Sequence, residues 1–442
     1  MNKESNNNKK IYIVSIFLVS CQIYIQNMFQ MIDTFVIGRY DEKAVSAINI
    51  ATQPINIIRK ILFSVVMGYI ILCPRTMQEE EKTVSRNLCG MATYIILGIS
   101  GICMIIIKQY NKQLMEYWLK ETDIILYAIK YLNISCYVIV FQNLNILYTA
   151  VLRCFEFEKW SLKFNILASV CNLVSDIVIV NIKNENVIEN IALSTLLSQI
   201  LCFVLMFIFI IKNKLITFEF SYRGIKDLLI IGFPSSVDSL IYTIVQSFIN
   251  TLICEKSSLM LAAYIYMVNF SNILTSISEG IGNVMGIEIG KKCGIKKYKE
   301  VKQLITNIIG RYAKINIIFI VVWSILFRIV IHILNVSDTM KNMMMSFLPF
   351  LIVIIYFQAM NICIASLLKS CGDSKYVCIT TAIVSIAVKV LIAAIFIKKY
   401  CNIAVALGCI LIMDEGIRCI INCKRVKKQN LIKTIAFRKE QF

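Results

Sequence analysis

The chain has 442 residues, of which 58% are hydrophobic and 17% are charged, and its mean hydropathy is +0.72. A soluble protein of this length carries more surface charge, so the composition excludes the ordinary soluble classes. The net charge of +19 does not by itself indicate nucleic acid, because in a membrane protein the location of the charges matters more. Apolar runs of membrane-spanning length recur from end to end, which predicts an all-α polytopic membrane protein.

The apolar runs predict about twelve transmembrane helices, six on each side of a basic loop. The first run is too long for a cleaved signal, so we expect it to be retained as a helix. The predicted helices lie near residues 11–38, 44–72, 86–107, 123–152, 160–181, 189–211, 226–254, 258–286, 302–334, 340–368, 376–397 and 400–422. The predicted domains are an N-terminal lobe at 1–211, an inter-lobe loop at 212–225, a C-terminal lobe at 226–423 and a basic tail at 424–442.

Lysine and arginine are concentrated on one predicted side of the membrane. The segments on the same side as the N-terminus hold most of them, at residues 3–10, 82–86, 153–163, 212–226, 291–302 and 424–439. Because positively charged loops are retained in the cytoplasm, the sequence predicts cytoplasmic termini and a cytoplasmic inter-lobe loop. We therefore expect a multi-pass protein of the cell (plasma) membrane.

Three short matches indicate that the second half of the chain repeats the first. Residues 32–34 (Ile-Asp-Thr) match 249–251 (Ile-Asn-Thr), residues 44–48 match 261–265, and 152–153 match 368–369. All three share an offset of about 216–217 residues, close to half the chain. Each half has an even number of predicted spans, so the repeat is parallel, with its axis along the membrane normal. A substrate path is then expected between the lobes.

Residues for enzymatic chemistry are scarce. The 17 cysteines are scattered through apolar runs as small hydrophobic residues, and His332 is the single histidine. We find no nucleophile–base pair, no metal-ligand cluster and no glycine-rich phosphate loop, so we predict no catalytic residues and no enzyme. The sequence also lacks the repeated filter-like segment that would indicate a channel.

One aspartate, Asp33, lies inside the first predicted helix. A carboxylate within a bilayer costs about 2.5–3.5 kcal/mol on insertion scales. A chain that carries this cost either uses the group in a cavity or neutralises it with a partner. Asp33 is therefore a candidate functional residue.

Several segments, in the right order along nearly the whole chain, resemble the MATE (multidrug and toxic compound extrusion) transporters. They are residues 32–38 (Ile-Asp-Thr-Phe-Val-Ile-Gly) with Ala44, Ala47 and Ile48, residues 232–236 (Gly-Phe-Pro-Ser-Ser), residues 289–294 (Ile-Gly-Lys-Lys-Cys-Gly) and residues 367–374 (Leu-Leu-Lys-Ser-Cys-Gly-Asp-Ser). The resemblance implies two six-helix lobes. It also implies cation-coupled antiport that exports organic, often cationic, compounds.

The resemblance also implies a cation-coupling site in the first lobe. The family's first-helix aspartate falls on Asp33, its Asn-x-x-x-Asp pattern on Asn172 and Asp176, and its sixth-helix threonine on Thr195. The residues themselves agree, because Asn172 and Asp176 share one helical face and all four side chains carry oxygen, which suits a hard cation or a shared proton. Alternatively, Asn172 and Thr195 only mediate helix–helix contacts.

Other charged residues in the predicted spans depart from the family pattern. Arg59 and Lys60 lie midway along the second span, and the turn at 153–158 lacks the glycines usual in the family. Lys389 lies in span eleven at the repeat position of Asn172, where the second lobe has a cation instead of an oxygen ligand. Asp238 and Glu279 are acids that are predicted to pair with it in an internal salt bridge; otherwise Lys389 lines the cavity.

The leading functional prediction is a secondary active antiporter, a monomer that exchanges small organic compounds for H⁺ or Na⁺ by alternating access in the lipid bilayer. No cofactor, nucleic-acid partner or other metal is predicted. The alternative is a lipid-linked oligosaccharide flippase of the same superfamily. A set of basic residues would suit its anionic substrate if they face one cavity: Arg59, Lys60, Arg311, Lys314 and Lys389.

Overall fold

The computed structural model describes most of the chain. The residues it describes are 12–28, 42–77, 82–118, 122–182, 186–219, 222–256, 258–333, 338–393, 395 and 403–427. These residues are almost entirely helical and contain no β-strand. The all-α prediction is therefore confirmed over this part of the chain.

Within these residues, twelve helices correspond to the twelve predicted runs. In chain order they are α1 (Tyr12–Met28), α2 (Glu42–Leu72), α3 (Lys82–Trp118), α4 (Thr122–Cys154), α5 (Glu158–Ile182), α6 (Val187–Lys212), α7 (Tyr222–Lys256), α8 (Ser258–Gly294), α9 (Tyr298–Ile333), α10 (Asp338–Ser370), α11 (Ser374–Ser385, continued by a π-helical segment Ile386–Ile392) and α12 (Ile403–Lys427). Nine of the helices within the described ranges are long and apolar enough to cross a membrane.

The chain divides into two compact units. One unit comprises Gln22–Ser236, and the other comprises Val237–Phe442 together with Met1–Cys21. We call them the first lobe and the second lobe. The first lobe thus contains α2 to α6 and the second lobe contains α8 to α12, while α1 and α7 are each divided between the two units. The predicted boundaries at residues 211 and 226 stay a prediction.

The core of the first lobe is an apolar cluster between α2, α3, α4 and α6. It includes fully buried side chains such as Leu62, Met115 and Leu132. At another place in this lobe, α7 approaches α2 so closely that a Cβ at Gly232 would meet the backbone oxygen of Ser64. Only glycine fits at such a crossing, so Gly232 lets the start of α7 pack on α2.

The second lobe is built around α10. One apolar cluster joins it to α8, α9 and α12 through side chains such as Phe327, Phe347 and Leu407. A second cluster, at the other end of α10, includes Ile289 and Leu367. Since α10 is packed on several sides, it serves as the central helix on which α11 and α12 are positioned.

The turns after α4 and α10 have the same hydrogen bonds, a common helix-ending motif that also follows α6 and α8. After α4, the Glu156 amide donates to the Arg153 carbonyl (3.1 Å) and the Phe157 amide to the Leu152 carbonyl (2.7 Å). After α10, the amides of residues 372 and 373 donate to the carbonyls of residues 369 and 368 (2.8 and 3.0 Å). Both turns place one residue in the left-handed region, Glu156 at φ 65° and Gly372 at φ 86°. The first turn thus has a glutamate in the left-handed conformation that a glycine adopts in the second.

We expect substitutions at these left-handed positions to change stability with opposite signs. Gly372→Ala should lower the free energy of unfolding by about 1 kcal/mol, because a Cβ disfavours positive φ. Lys296, an exposed residue at φ 59° after α8, provides the matched test. Lys296→Gly should raise the free energy of unfolding by about 0.5–1 kcal/mol. Thermal unfolding of the purified variants measures both, and a stabilising Gly372→Ala would contradict the expectation.

Candidate cation site and buried charge cluster

Helix α5 places an amide and a carboxylate on one buried face. Asn172 and Asp176 are four residues apart, so they lie one turn from each other on the same side of the helix. Their side chains are 8% and 1% exposed. The Asn172 Nδ2 group donates a hydrogen bond to Asp176 Oδ2 at 3.2 Å. The structure thus brings these two predicted site residues together.

Helix α6 adds hydroxyl groups to this face. Ser198 Oγ donates to Asn172 Oδ1 at 3.2 Å, and Ser194 Oγ lies 3.4 Å from the same oxygen. Thr195, the predicted residue, is half-buried and donates instead to the Ile191 carbonyl of its own helix at 3.1 Å. Sequence reasoning did not find the two serines. Their spacing of one helical turn, like that of Asn172 and Asp176, was the available signal.

The carboxylate of Asp176 is only half satisfied within the described part of the chain. Its Oδ2 accepts from Asn172, whereas its Oδ1 has no hydrogen-bond partner among the described residues. Buried carboxylate oxygens are normally hydrogen-bonded, so this atom suits a proton or a bound cation. Asp33 lies outside the described residues. Its predicted place in the site stays a prediction.

The remaining predicted charges occupy different environments. Arg59 and Lys60 are both half-buried on α2. Lys314 on α9 and Glu279 on α8 are exposed, as is Arg311. The structure therefore does not assign a shared role to these residues.

Lys389 is paired, but its partners differ from the predicted ones. Its Nζ lies 2.9 Å from Asp414 Oδ2 and 3.8 Å from Glu415 Oε1, both on α12. Asp238 is bound instead by Lys369 at 2.6 Å, so the predicted Lys389–Asp238 pair is wrong. The physical reason is the position of Asp238 along α7. The residue of α7 that faces the ammonium group is Tyr242, which lies one helical turn after Asp238.

A transition metal centre is not indicated in the described ranges. They contain no group of three or more His, Cys, Asp or Glu side chains that could hold a metal ion. The first-lobe site instead offers amide, carboxylate and hydroxyl oxygens, which are ligands for hard cations or protons.

Comparison with known proteins agrees with this fold. The MatE family model matches residues 19–178 and 234–395. The uncharacterized transporter YisQ of Bacillus subtilis (strain 168) is 19% identical over 387 residues, which cover 82% of each chain. A crystal structure of a MATE protein in complex with MaL6 has a TM-score of 0.88 at 15% identity and covers 97% of both chains. A mutant of the Vibrio cholerae MATE transporter VcmN has a TM-score of 0.85 at 13% identity and covers 96% of this chain and 98% of that one.

The helical architecture and these similarities define a multi-pass membrane transporter with two lobes. Because the family model matches more than half of the sequence, the chain belongs to the MATE family. The resemblance noted in the sequence is therefore confirmed. Members of this family are transporters rather than enzymes.

Proposed function

We propose that the protein is a secondary active antiporter that exports organic compounds, cationic or amphipathic, in exchange for H⁺ or Na⁺. The observation that carries this proposal is the buried Asp176, whose second oxygen has no hydrogen-bond partner among the described residues. A half-satisfied carboxylate in a membrane transporter provides a place where a cation changes the local charge. One structurally similar protein is described as a multidrug resistance MATE transporter, which supports the substrate class.

Cation binding at this site is the coupling step. Asn172 and Asp176 lie on α5, and Ser198 holds Asn172 from α6. Neutralising the carboxylate changes the preferred packing of α5 and α6, and with it the balance between two conformations of the lobe. A cation and a substrate that prefer opposite conformations then exchange across the membrane, because each shifts the equilibrium by its differential affinity.

The proposed coupling site contains four residues, Asp33, Asn172, Asp176 and Thr195, with Ser194 and Ser198 as supporting hydroxyls. Two carboxylates in a low-dielectric site cannot both remain charged without a bound cation or proton. Sodium would take the oxygen ligands directly, whereas a proton would be held between the two acids. No other metal and no cofactor is proposed.

We also propose the orientation of the protein in the membrane. The last turn of α8 carries Lys291 and Lys292, the turn after it carries Lys296 and Lys297, and the end of α12 carries Lys424, Arg425 and Lys427. By the positive-inside rule these segments lie in the cytoplasm, together with both termini. We further propose that the protein acts as a monomer in the plasma membrane.

Transport in reconstituted vesicles tests the proposal. The purified protein is placed in proteoliposomes, and uptake or efflux of the organic cation ethidium is followed after imposing a Na⁺ or a H⁺ gradient. One of the two gradients should drive movement of ethidium against its concentration gradient. An ionophore that collapses that gradient should stop it. Ethidium flux that is independent of both gradients would contradict the antiport mechanism.

The flippase alternative is tested with the same vesicles by offering a fluorescent lipid-linked oligosaccharide. That alternative rested on five basic residues, including Lys389. In the structure Lys389 lies between two acids, so it adds no net positive charge for an anionic substrate. Translocation of the labelled lipid without ethidium export would replace the antiporter proposal.

A further inference from the structure

Four charged side chains are buried together in the second lobe. Lys389 comes from the π-helical segment that ends α11, and Asp414, Glu415 and Arg418 come from α12. None of the four is more than 5% exposed. Arg418 lies 2.5 Å from both acids, and Lys389 lies between the same two acids. The cluster contains two cations and two anions, so its formal charge is zero.

Every carboxylate oxygen of this cluster has a partner. Asp414 Oδ2 is bound by Lys389 and Arg418, and its Oδ1 accepts from Ser385 Oγ at 2.9 Å. Glu415 Oε1 is bound by Arg418, and its Oε2 accepts from Asn361 Nδ2 at 3.1 Å. Buried acids are tolerated when they are paired and hydrogen-bonded in this way.

An aromatic ring completes the surroundings of the ammonium group. Lys389 Nζ lies 4.7 Å from the centre of the Tyr242 ring, within the range of a cation–π contact. The ammonium group is therefore held by two carboxylates and the face of one ring. These are the groups that proteins use to bind small ammonium ions.

The position of this lysine corresponds to the cation site of the first lobe. The sequence separation between Asn172 and Lys389 equals the separation between Ser198 and Glu415. In the first lobe Ser198 contacts Asn172 at 3.2 Å, and in the second lobe Glu415 contacts Lys389 at 3.8 Å. The two lobes thus use corresponding helix pairs, α5–α6 and α11–α12, and equivalent positions on them. Only the second lobe places a charged amine there.

We propose that the second lobe contains a monovalent-cation site which its own Lys389 ammonium group occupies permanently. Asp414, Glu415 and Tyr242 are the ligands of this site, and they fit a small alkylammonium ion or Na⁺ when the lysine is removed. The second lobe therefore binds no external cation in the native protein. The proposal rests on contacts within one lobe and holds whether or not the antiport proposal is correct.

The experiment removes the internal amine and supplies an external one. All proteins carry Asp176→Asn, so that the first-lobe site does not contribute. In this background Lys389→Ala leaves one negative charge uncompensated and opens space for a small amine. Melting temperatures are measured between 1 and 100 mM ethylammonium or Na⁺, with N-methyl-D-glucamine holding the ionic strength constant. Lys389→Ala should gain about 2–3 °C over this range with at least one of the two ions, and the parent with Lys389 intact less than 1 °C.

Two control variants separate this site from general salt effects. Lys389→Ala with Glu415→Gln restores charge balance and should lose the response. Lys369→Ala removes a lysine from a half-buried pair with Asp238 in the same lobe and should show no response. Equal responses in the parent and in Lys389→Ala would overturn the proposal, as would a full response in the double variant. So would failure to recover Lys389→Ala at 100 mM ethylammonium while the double variant folds.

Discussion

Replacing Asp176 by asparagine is expected to lower gradient-driven export at least tenfold while the protein still folds. Asparagine keeps the size of the side chain and its position beside Asn172, but it cannot bind a proton or neutralise a sodium ion. The cation then no longer favours one conformation over the other, and its gradient no longer does work on the substrate. Vesicle transport under an imposed Na⁺ or H⁺ gradient measures the loss.

Asp33→Asn should give the same loss if both acids belong to one site, and the double variant should be no worse than either single one. The matched control is Asp338→Asn, because Asp338 is an almost fully exposed acid at the start of α10. Its transport rate should equal that of the unmodified protein. Undiminished export by both Asp176→Asn and Asp33→Asn would leave these residues as structural contacts and remove the first-lobe coupling mechanism.

Asp414→Ala is expected to lower the free energy of unfolding by about 3–5 kcal/mol, which is the usual cost of removing one member of a buried ion pair. Asp414 is fully buried and binds both Lys389 and Arg418. Without it, the cluster keeps two cations against one acid in a low-dielectric environment. Thermal unfolding in detergent, compared with the unmodified protein, measures the effect.

Charge balance provides the control for this prediction. Asp414→Ala combined with Lys389→Met removes one anion and one cation, so it should recover a large part of the lost stability. Glu300→Gln, which breaks exposed contacts with Lys292 and Lys297, should leave the melting temperature unchanged. A double variant less stable than Asp414→Ala would show that packing, rather than charge, holds α11 against α12.

The helices were predictable from the sequence because a membrane-spanning helix needs a long apolar run, and that requirement is visible in one dimension. Three short matches at one offset also indicated a repeat, and the turns at Glu156 and Gly372 share one conformation. Their shared conformation was not predictable, because glutamate rarely adopts positive φ. The hydrogen bonds of the turn enforce it, and these depend on the helix that precedes it.

The partners of Lys389 were missed for a different reason. Asp414, Glu415 and Arg418 lie near the end of the last apolar run, where charged residues are usually assigned to the membrane surface. The spacing of Asp414 and Glu415 from Arg418, one turn along a helix, indicated that these three residues pair with one another. Choosing α12 over α7 as the partner of α11 required knowledge of which helices are neighbours. The same knowledge was needed to find Ser194 and Ser198 beside Asn172.

The neutrality of the buried cluster has an electrical consequence. Moving one elementary charge across a membrane potential of 100 mV involves about 2.3 kcal/mol. Lys389, Arg418, Asp414 and Glu415 are held together and sum to zero, so they move through the membrane field as a unit without electrical work. As long as the cluster moves as one unit, it adds nothing to any sensitivity of transport to voltage.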